Sequence, residues 1–321
     1  MAENAVWVYG ESRDGEPTAV TLELVSKAAE LGDATVVFLG AGAEAAAEIA
    51  GRYGAAHALV DPNPSYDEHL ALGAVDALHA LVTERAPSLL LFGATYDSRD
   101  VASRLAARLD CGVVCNCTDV QREGEGYKML TPWGGDAVAV CELHCAGVKL
   151  VLARAKAFAA RESGGECRIE RFEAQLGASA RAVRIVDAVE EAAQGPSLSD
   201  AAVVVAGGRG LGKPESFDKV EELAALLGGA VGATRAVVDA GWRPFGEQIG
   251  QTGVTVKPSV YIACGISGAV QHLSGMKGSR TIIAINRDPD APIFRSADLG
   301  VVGDVNTVLA DLLAEIRTRR G

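Results

Sequence analysis

The chain lacks any long apolar segment, although 49% of its 321 residues are hydrophobic. A helix that crosses a bilayer needs about 20 consecutive apolar residues, and polar residues interrupt every hydrophobic run here. The N-terminal residues MAENAVWVYG also lack the basic segment and apolar stretch of a secretory signal. We therefore expect a cytoplasmic protein that does not insert into a membrane.

The chain has fewer positively charged than negatively charged residues. The chain has 30 Lys and Arg residues against 42 Asp and Glu residues, which gives a net charge of −12. A surface of this sign repels a phosphate backbone, so the composition argues against DNA or RNA as a ligand.

The seven cysteines are odd in number, and no two of them form a C-x-x-C pair. Five lie close together in the sequence around one histidine, His144: Cys111, Cys115, Cys117, Cys141 and Cys145. Thiolates and imidazole suit zinc or iron–sulfur clusters, but these spacings match no common metal-binding pattern. Free cysteine also packs as a small hydrophobic residue. We predict neither a metal site nor a disulfide framework, and the pattern gives the cluster no role.

What the chain does contain is a regular alternation of apolar strands and helices. Strands are predicted at Ala5–Gly10, 34–40, 56–61 and 88–96, with helices between them that include one over 67–85. This order is typical of a parallel, doubly wound sheet. Residues 115–158 change to short alternating runs, which suit added sheet or hairpin structure.

A break in periodicity divides the chain. Residues 190–200 collect Gly, Pro and Ser, which is typical of a linker. We predict an N-terminal α/β domain at 1–192, a flexible tether at 193–199 and a second α/β domain at 200–321. The fold class is α/β, with two Rossmann-like doubly wound domains.

Glycine and small polar residues end the apolar runs of the second domain, at 207–209, 265–268, 286–288 and 303–304. Ligands of open parallel sheets bind outside the carboxyl ends of the strands. Glycines at that edge let backbone N–H groups approach a phosphate, and the irregular segment 246–258 adds a polar loop of the kind that often carries function. The pattern predicts a site for a nucleotide-like ligand.

Two motifs suggest enzymes. Residues 207–212 (GGRGLG) approach a dinucleotide fingerprint, but Thr234 and Arg235 stand where an NAD site needs an acidic residue. An NADP-dependent reductase with Arg235 on the 2′-phosphate stays open. Ser267 lies in a motif close to a nucleophile elbow, yet the only later histidine, His272, precedes every candidate acid, which is the wrong order for that hydrolase fold. We predict no catalytic residue.

Long stretches of the second domain resemble the FAD-binding domain of the electron-transfer flavoprotein α subunit. They cover 203–212, 228–242 and 249–304, and the most specific is YIACGISGAVQHLSGMKGSRTIIAINRDPDAPIF, residues 261–294. The segments TYDSRDVASRLAARL and TPWGGDAVAV of the first domain are similar to the family more loosely. The resemblance implies a C-terminal parallel-sheet domain that binds FAD and an N-terminal domain that contacts a partner subunit.

The family's activity implies an electron carrier without a substrate of its own. Its members form a heterodimer with an electron-transfer flavoprotein β subunit. They take electrons from flavin dehydrogenases such as the acyl-CoA dehydrogenases of fatty acid β-oxidation, and deliver them to an electron-transfer flavoprotein:quinone oxidoreductase. The alternative is an FAD- or NADP-dependent oxidoreductase that acts on its own small-molecule substrate.

The resemblance also implies which residues bind FAD. They are Arg209, Thr234, Arg235, Ile249, Gly250, Gln251, Thr252, Ser267, Gly268, Ala269, Val270, Gln271, His272, Asn286 and Asp304. Positive charge from Arg235 and His272 would stabilise the reduced ring, and the Thr252 hydroxyl would bond to N5. Ser267 suits the pyrophosphate, while Asn286 and Asp304 suit the adenosine half. Thr234 replaces the family's usual Ser, and Leu299 replaces a common Tyr.

Overall fold

The computed structural model describes residues 5–124, 126–133, 137–187, 197–198 and 201–320. The chain divides into two compact units, Met1–Val189 and Glu190–Gly321. The predicted tether at 193–199 lies outside the described residues except for 197 and 198. Its bounds and flexibility therefore stay predictions.

The first unit alternates strands and helices as predicted. Its strands are β1 (Ala5–Gly10), β2 (Ser12–Arg13), β3 (Glu16–Pro17), β4 (Asp33–Leu39), β5 (His57–Asp61), β6 (Leu89–Gly93), β7 (Val113–Cys117), β8 (Asp119–Glu123), β9 (Gly126–Pro132), β10 (Val138–Cys141), β11 (Lys149–Ala153) and β12 (Arg168–Arg171). Its helices are α1 (Ala19–Leu31), α2 (Ala43–Gly51), α3 (Ser65–Glu68), α4 (Leu72–Arg85), α5 (Tyr96–Leu109) and α6 (Ala178–Arg181).

Seven of these strands form one parallel sheet in the order β12-β5-β4-β1-β6-β11-β7. Apolar clusters cover both of its faces, so its central strands are apolar throughout, as in the fully buried LLLFG of β6. Strands β8, β9 and β10 form a separate antiparallel sheet, which is the added hairpin structure predicted for 115–158.

The single helix predicted over 67–85 is wrong, because the structure breaks it at His69. This residue has extended backbone angles (φ −122°, ψ 150°), and its Nδ1 lies 2.8 Å from the carbonyl oxygen of Val183. A contact with a distant segment thus interrupts a helical pattern that is continuous in the sequence. The result is the short α3 followed by α4.

The second unit repeats the architecture with fewer strands. Its strands are β13 (Val203–Gly207), β14 (Ala230–Thr234), β15 (Gln248–Ile249), β16 (Val260–Cys264), β17 (Thr281–Asn286) and β18 (Leu299–Val302). Its helices are α7 (Phe217–Leu226), α8 (Arg235–Val238), α9 (Val270–Met276) and α10 (Val305–Arg320). All six strands are parallel, in the order β15-β14-β13-β16-β17-β18.

Apolar clusters again lie on both faces of this sheet. The two parallel sheets confirm the predicted α/β class with two Rossmann-like units. Because every strand of the second sheet runs the same way, its carboxyl ends meet along one edge. Across the described parts of both units, no helix is both long and apolar enough to cross a membrane.

Candidate functional site

The predicted ligand residues all lie at the carboxyl edge of the six-stranded sheet. Arg209 follows β13, Thr234 ends β14, and Arg235 begins α8. Asn286 ends β17, and Asp304 follows β18. The others form two segments, one at the end of β15 and one between β16 and the first turn of α9: Ile249, Gly250, Gln251, Thr252, Ser267, Gly268, Ala269, Val270, Gln271 and His272. The fold therefore brings residues from six separate strand ends to one edge.

The two long segments pack directly on each other. The backbone N–H of Gln251 donates to the carbonyl of Gln271 at 2.8 Å. A Cβ added to Gly250 would lie 2.8 Å from that same carbonyl oxygen, which is closer than a side chain tolerates. The loop after β15 is thus fixed against α9, and the two form a single surface.

Glycine also brings the loops after β13 and β16 into backbone contact. A Cβ on Gly208 would lie 2.5 Å from the carbonyl oxygen of Gly265. Gly268 has φ +86°, and a Cβ there would lie 2.3 Å from the backbone nitrogen of Ile293. Any side chain at these positions would force the loops apart. The loops at this edge are therefore packed backbone against backbone, and the glycines fix their positions.

The polar side chains at this carboxyl edge are exposed. Arg235, Gln251, Thr252, Ser267 and Gln271 all lie at the surface. Arg235 is 68% exposed, and its Nε lies 3.2 Å from the carboxylate of Asp239 one helical turn later. An exposed pair of this kind contributes about 0–1 kcal/mol, so the guanidinium is held only weakly and remains available to a ligand.

His272 differs from these residues because it is 6% exposed and bonded on both sides. Its Nδ1 lies 3.1 Å from the carbonyl oxygen of Ile249, and its Nε2 lies 2.9 Å from the hydroxyl of Tyr261. A carbonyl only accepts, so Nδ1 carries the proton and Nε2 accepts from Tyr261. Burial lowers the pKa of His272 to about 4, although the bond to Ile249 opposes the shift.

This geometry gives a neutral imidazole rather than the positive charge expected at His272. The ring ties the end of β15 to β16 and α9, and it presents a fixed dipole instead of a cation. Arg235 is then the residue of this pair that brings positive charge to the site.

Two residues that sequence reasoning missed support the site from below. Tyr261 is fully buried and donates to His272. Gln248 is 2% exposed, and its Nε2 lies 3.0 Å from the hydroxyl oxygen of Thr252. The usable signal was a tyrosine inside an apolar strand, because a buried phenol needs a partner. Gln248 gave no signal, since a glutamine in a polar loop normally lies at the surface.

Asn286 and Asp304 are engaged within the protein. The Asn286 amide donates to the carbonyl of Ile266, and its oxygen accepts from the backbone N–H of Asp288. Asp304 accepts from the backbone N–H and hydroxyl of Thr307, and these bonds lower the pKa of its carboxyl group. Both residues shape the loops at the end of the sheet where the adenosine contacts were predicted.

The geometry does not support the hydrolase chemistry considered for Ser267. His272 uses both ring nitrogens on Ile249 and Tyr261, so it does not activate Ser267. Among the described residues, no group of His, Cys, Asp and Glu side chains is arranged to hold a metal. Burial raises the pKa of Cys117 to about 11, which keeps this thiol protonated.

Comparison with known proteins identifies the family. The model of the electron transfer flavoprotein domain matches residues 6–177, and that of the electron transfer flavoprotein FAD-binding domain matches residues 197–277. The chain belongs to the electron-transfer flavoprotein α-subunit family. The α subunit from Mycobacterium leprae is 40% identical over 330 residues, which cover 100% of both chains. That from Thermoanaerobacterium thermosaccharolyticum is 37% identical over 97% of both chains, and the FixB protein of Clostridium saccharobutylicum is also 37% identical, over 97% of this chain and 96% of its own.

FAD is accordingly the cofactor of the second unit of this electron-transfer flavoprotein chain. The site fits that cofactor, because the exposed hydroxyl of Ser267 lies in the glycine-rich segment between β16 and α9, at the carboxyl ends of parallel strands where nucleotide ligands of this fold bind. The exposed guanidinium, hydroxyl and amide groups beside it are of the kinds that hydrogen-bond a flavin ring.

Proposed function

We propose that this chain is the α subunit of a heterodimeric electron-transfer flavoprotein and carries electrons without a substrate of its own. FAD accepts electrons from flavin dehydrogenases such as acyl-CoA dehydrogenases, and passes them to a quinone oxidoreductase or a similar acceptor. The observation that supports this most strongly is that the fifteen predicted FAD residues all lie at the carboxyl edge of one parallel sheet. The full-length similarity to curated α subunits is the second support.

Each part of the edge has a distinct task in this proposal. Ser267 and the glycine-rich backbone between β16 and α9 bind the pyrophosphate. Arg235 stabilises negative charge that develops beside it, because its weak pairing with Asp239 leaves the guanidinium free to respond. His272, held neutral, fixes the loop after β15 against α9. Burial lowers the pKa of His272 to about 4, well below neutral pH.

The surface that we propose for the β subunit lies on the small antiparallel sheet of the first unit. Strand β10 ends the order β10-β9-β8, and no strand of the described part of the chain pairs with its outer edge, which leaves backbone groups available for pairing. Its Val138 and Val140 are 57% and 60% exposed, and Trp133 beside it is 72% exposed. Exposed apolar side chains next to an open strand edge are typical of a protein–protein interface.

Co-purification tests this assignment. We expect the chain expressed with a β subunit to elute as a one-to-one complex that contains FAD. The variant Val140→Lys should weaken the complex without changing the fold, whereas the same change at Val186, which is 95% exposed and lies outside the sheet, should leave it intact. A chain that binds FAD and oxidises a small-molecule substrate or NADPH by itself would contradict the proposal and favour the oxidoreductase alternative.

A further inference from the structure

Gln248 is a buried polar residue in the edge strand of the second sheet. It begins the two-residue strand β15, which pairs with β14 at the edge of the sheet, and its side chain is 2% exposed. Burying an amide costs free energy unless its groups are hydrogen-bonded. Its Nε2 donates to Thr252 Oγ1 at 3.0 Å. The buried amide thus hydrogen-bonds to the hydroxyl of an exposed residue.

The direction of this bond decides what Thr252 can do. An amide nitrogen only donates, so the Thr252 oxygen is the acceptor and its own proton takes no part. Among the described residues, Gln248 is the one hydrogen-bond partner of the Thr252 side chain. Thr252 itself is exposed at the carboxyl edge, next to Gln251, which is bonded to α9. Its hydroxyl proton is therefore available for donation at this exposed edge.

We propose that Gln248 is a positioning residue that makes the Thr252 hydroxyl a hydrogen-bond donor toward the flavin ring. This inference rests on the proposed function. N5 of an oxidised flavin has a lone pair and no hydrogen, so it pairs with a donor and not with an acceptor. A residue below Thr252 that accepted its proton would turn the hydroxyl the wrong way. With its Nε2 turned toward Thr252, the Gln248 amide donates to the hydroxyl oxygen instead.

Three variants of the FAD-loaded heterodimer test the role. Gln248→Glu places an acceptor under Thr252 and draws its proton inward. Gln248→Met keeps the volume and removes the donor, and Thr252→Val removes the hydroxyl. The readouts are the ¹⁵N chemical shift of N5 in labelled FAD, the reduction potential of the bound flavin, and the dissociation constant of FAD. If Gln248 only packs, the N5 chemical shift and the reduction potential should stay at the wild-type values in both Gln248 variants.

We expect Gln248→Glu to shift the N5 signal to the value seen in Thr252→Val. We also expect it to weaken FAD binding about threefold to tenfold, which corresponds to the loss of one hydrogen bond. Gln248→Met should fall between wild type and Thr252→Val. In the Thr252→Val background neither change at Gln248 should move the N5 signal or the potential further, because the group it orients is absent.

The opposite result would overturn the inference. If both Gln248 variants keep the wild-type N5 shift and potential while their melting temperature falls, Gln248 is only structural. If Gln248→Glu does not fold, the double-mutant cycle of Gln248→Met and Thr252→Val tests by itself whether Gln248 acts through the Thr252 hydroxyl. A wild-type heterodimer that binds no FAD would refute the proposed function itself, and this outcome is distinct from an unchanged N5 signal in a flavin-loaded variant.

Discussion

The neutral, doubly bonded His272 leads to a prediction about acid stability. Its pKa is lowered from 6.5 to about 4, so the folded state resists a proton that the unfolded chain accepts. The stability linked to this residue is complete above pH 6.5 and declines as the pH falls toward 4. At 1.36 kcal/mol per unit of pKa, the loss amounts to about 3 kcal/mol.

The perturbation is His272→Gln, which keeps an amide donor and removes the titration. Above pH 6.5 the variant should be less stable by about 1–3 kcal/mol, because Tyr261 loses its buried partner. As the pH falls to 4, the difference in unfolding free energy should shrink and then reverse, because only the wild type is destabilised by protonation of the unfolded chain.

Urea unfolding from pH 8 to pH 4, at fixed concentrations of protein and FAD, measures this difference. Imidazole ¹⁵N NMR of the wild type, with His272→Gln to assign the signal, should show the Nδ1–H tautomer. Parallel pH profiles for the two proteins, or a His272 signal that titrates near pH 6.5, would refute the reasoning.

Three other perturbations have expected outcomes. Arg235→Ala should lower the reduction potential of the bound flavin by the equivalent of about 1–4 kcal/mol, the Coulomb range for a charge about 4 Å away; spectroelectrochemistry that shows an unchanged potential would remove this residue from the site. Gly268→Ala should release FAD, as measured by flavin fluorescence, because its Cβ meets backbone, whereas Gly241→Ala, with a similar φ of +73° and nothing within 4 Å, should retain FAD. Glu11 accepts from the hydroxyl groups of Thr95 and Ser98, and burial raises its pKa; the stability linked to its protonated form is lost as the pH rises through that pKa, so Glu11→Gln should raise the melting temperature at pH 8 more than at pH 4.

The sequence was sufficient to predict the two parallel sheets and the ligand edge. Glycine and polar residues at successive strand ends, such as Gly265 and Asn286, are visible in a linear sequence, and parallel topology brings them together. The edge strand β12 was missed because its residues, RIER, are mostly charged and exposed. A strand that pairs on one side only needs no apolar pattern.

The charge state of His272 was not visible in the sequence. It depends on burial and on two partners, Tyr261 and Ile249, that lie 11 and 23 residues away. Gln248 was hidden for a similar reason, because only the folded loop shows that this glutamine points inward to Thr252. Residue type and spacing predicted which residues share the carboxyl edge of the sheet, whereas proton positions required the tertiary contacts.

The central claim is that this chain holds FAD to carry electrons between other proteins. Rapid mixing of the FAD-loaded heterodimer with an acyl-CoA dehydrogenase and its substrate tests it most directly, with flavin absorbance as the readout. The account predicts that the absorbance bleaches only when dehydrogenase and substrate are both present, and that it recovers when a quinone oxidoreductase and a quinone are added. Bleaching by the acyl-CoA substrate or by NADPH without any dehydrogenase would contradict it.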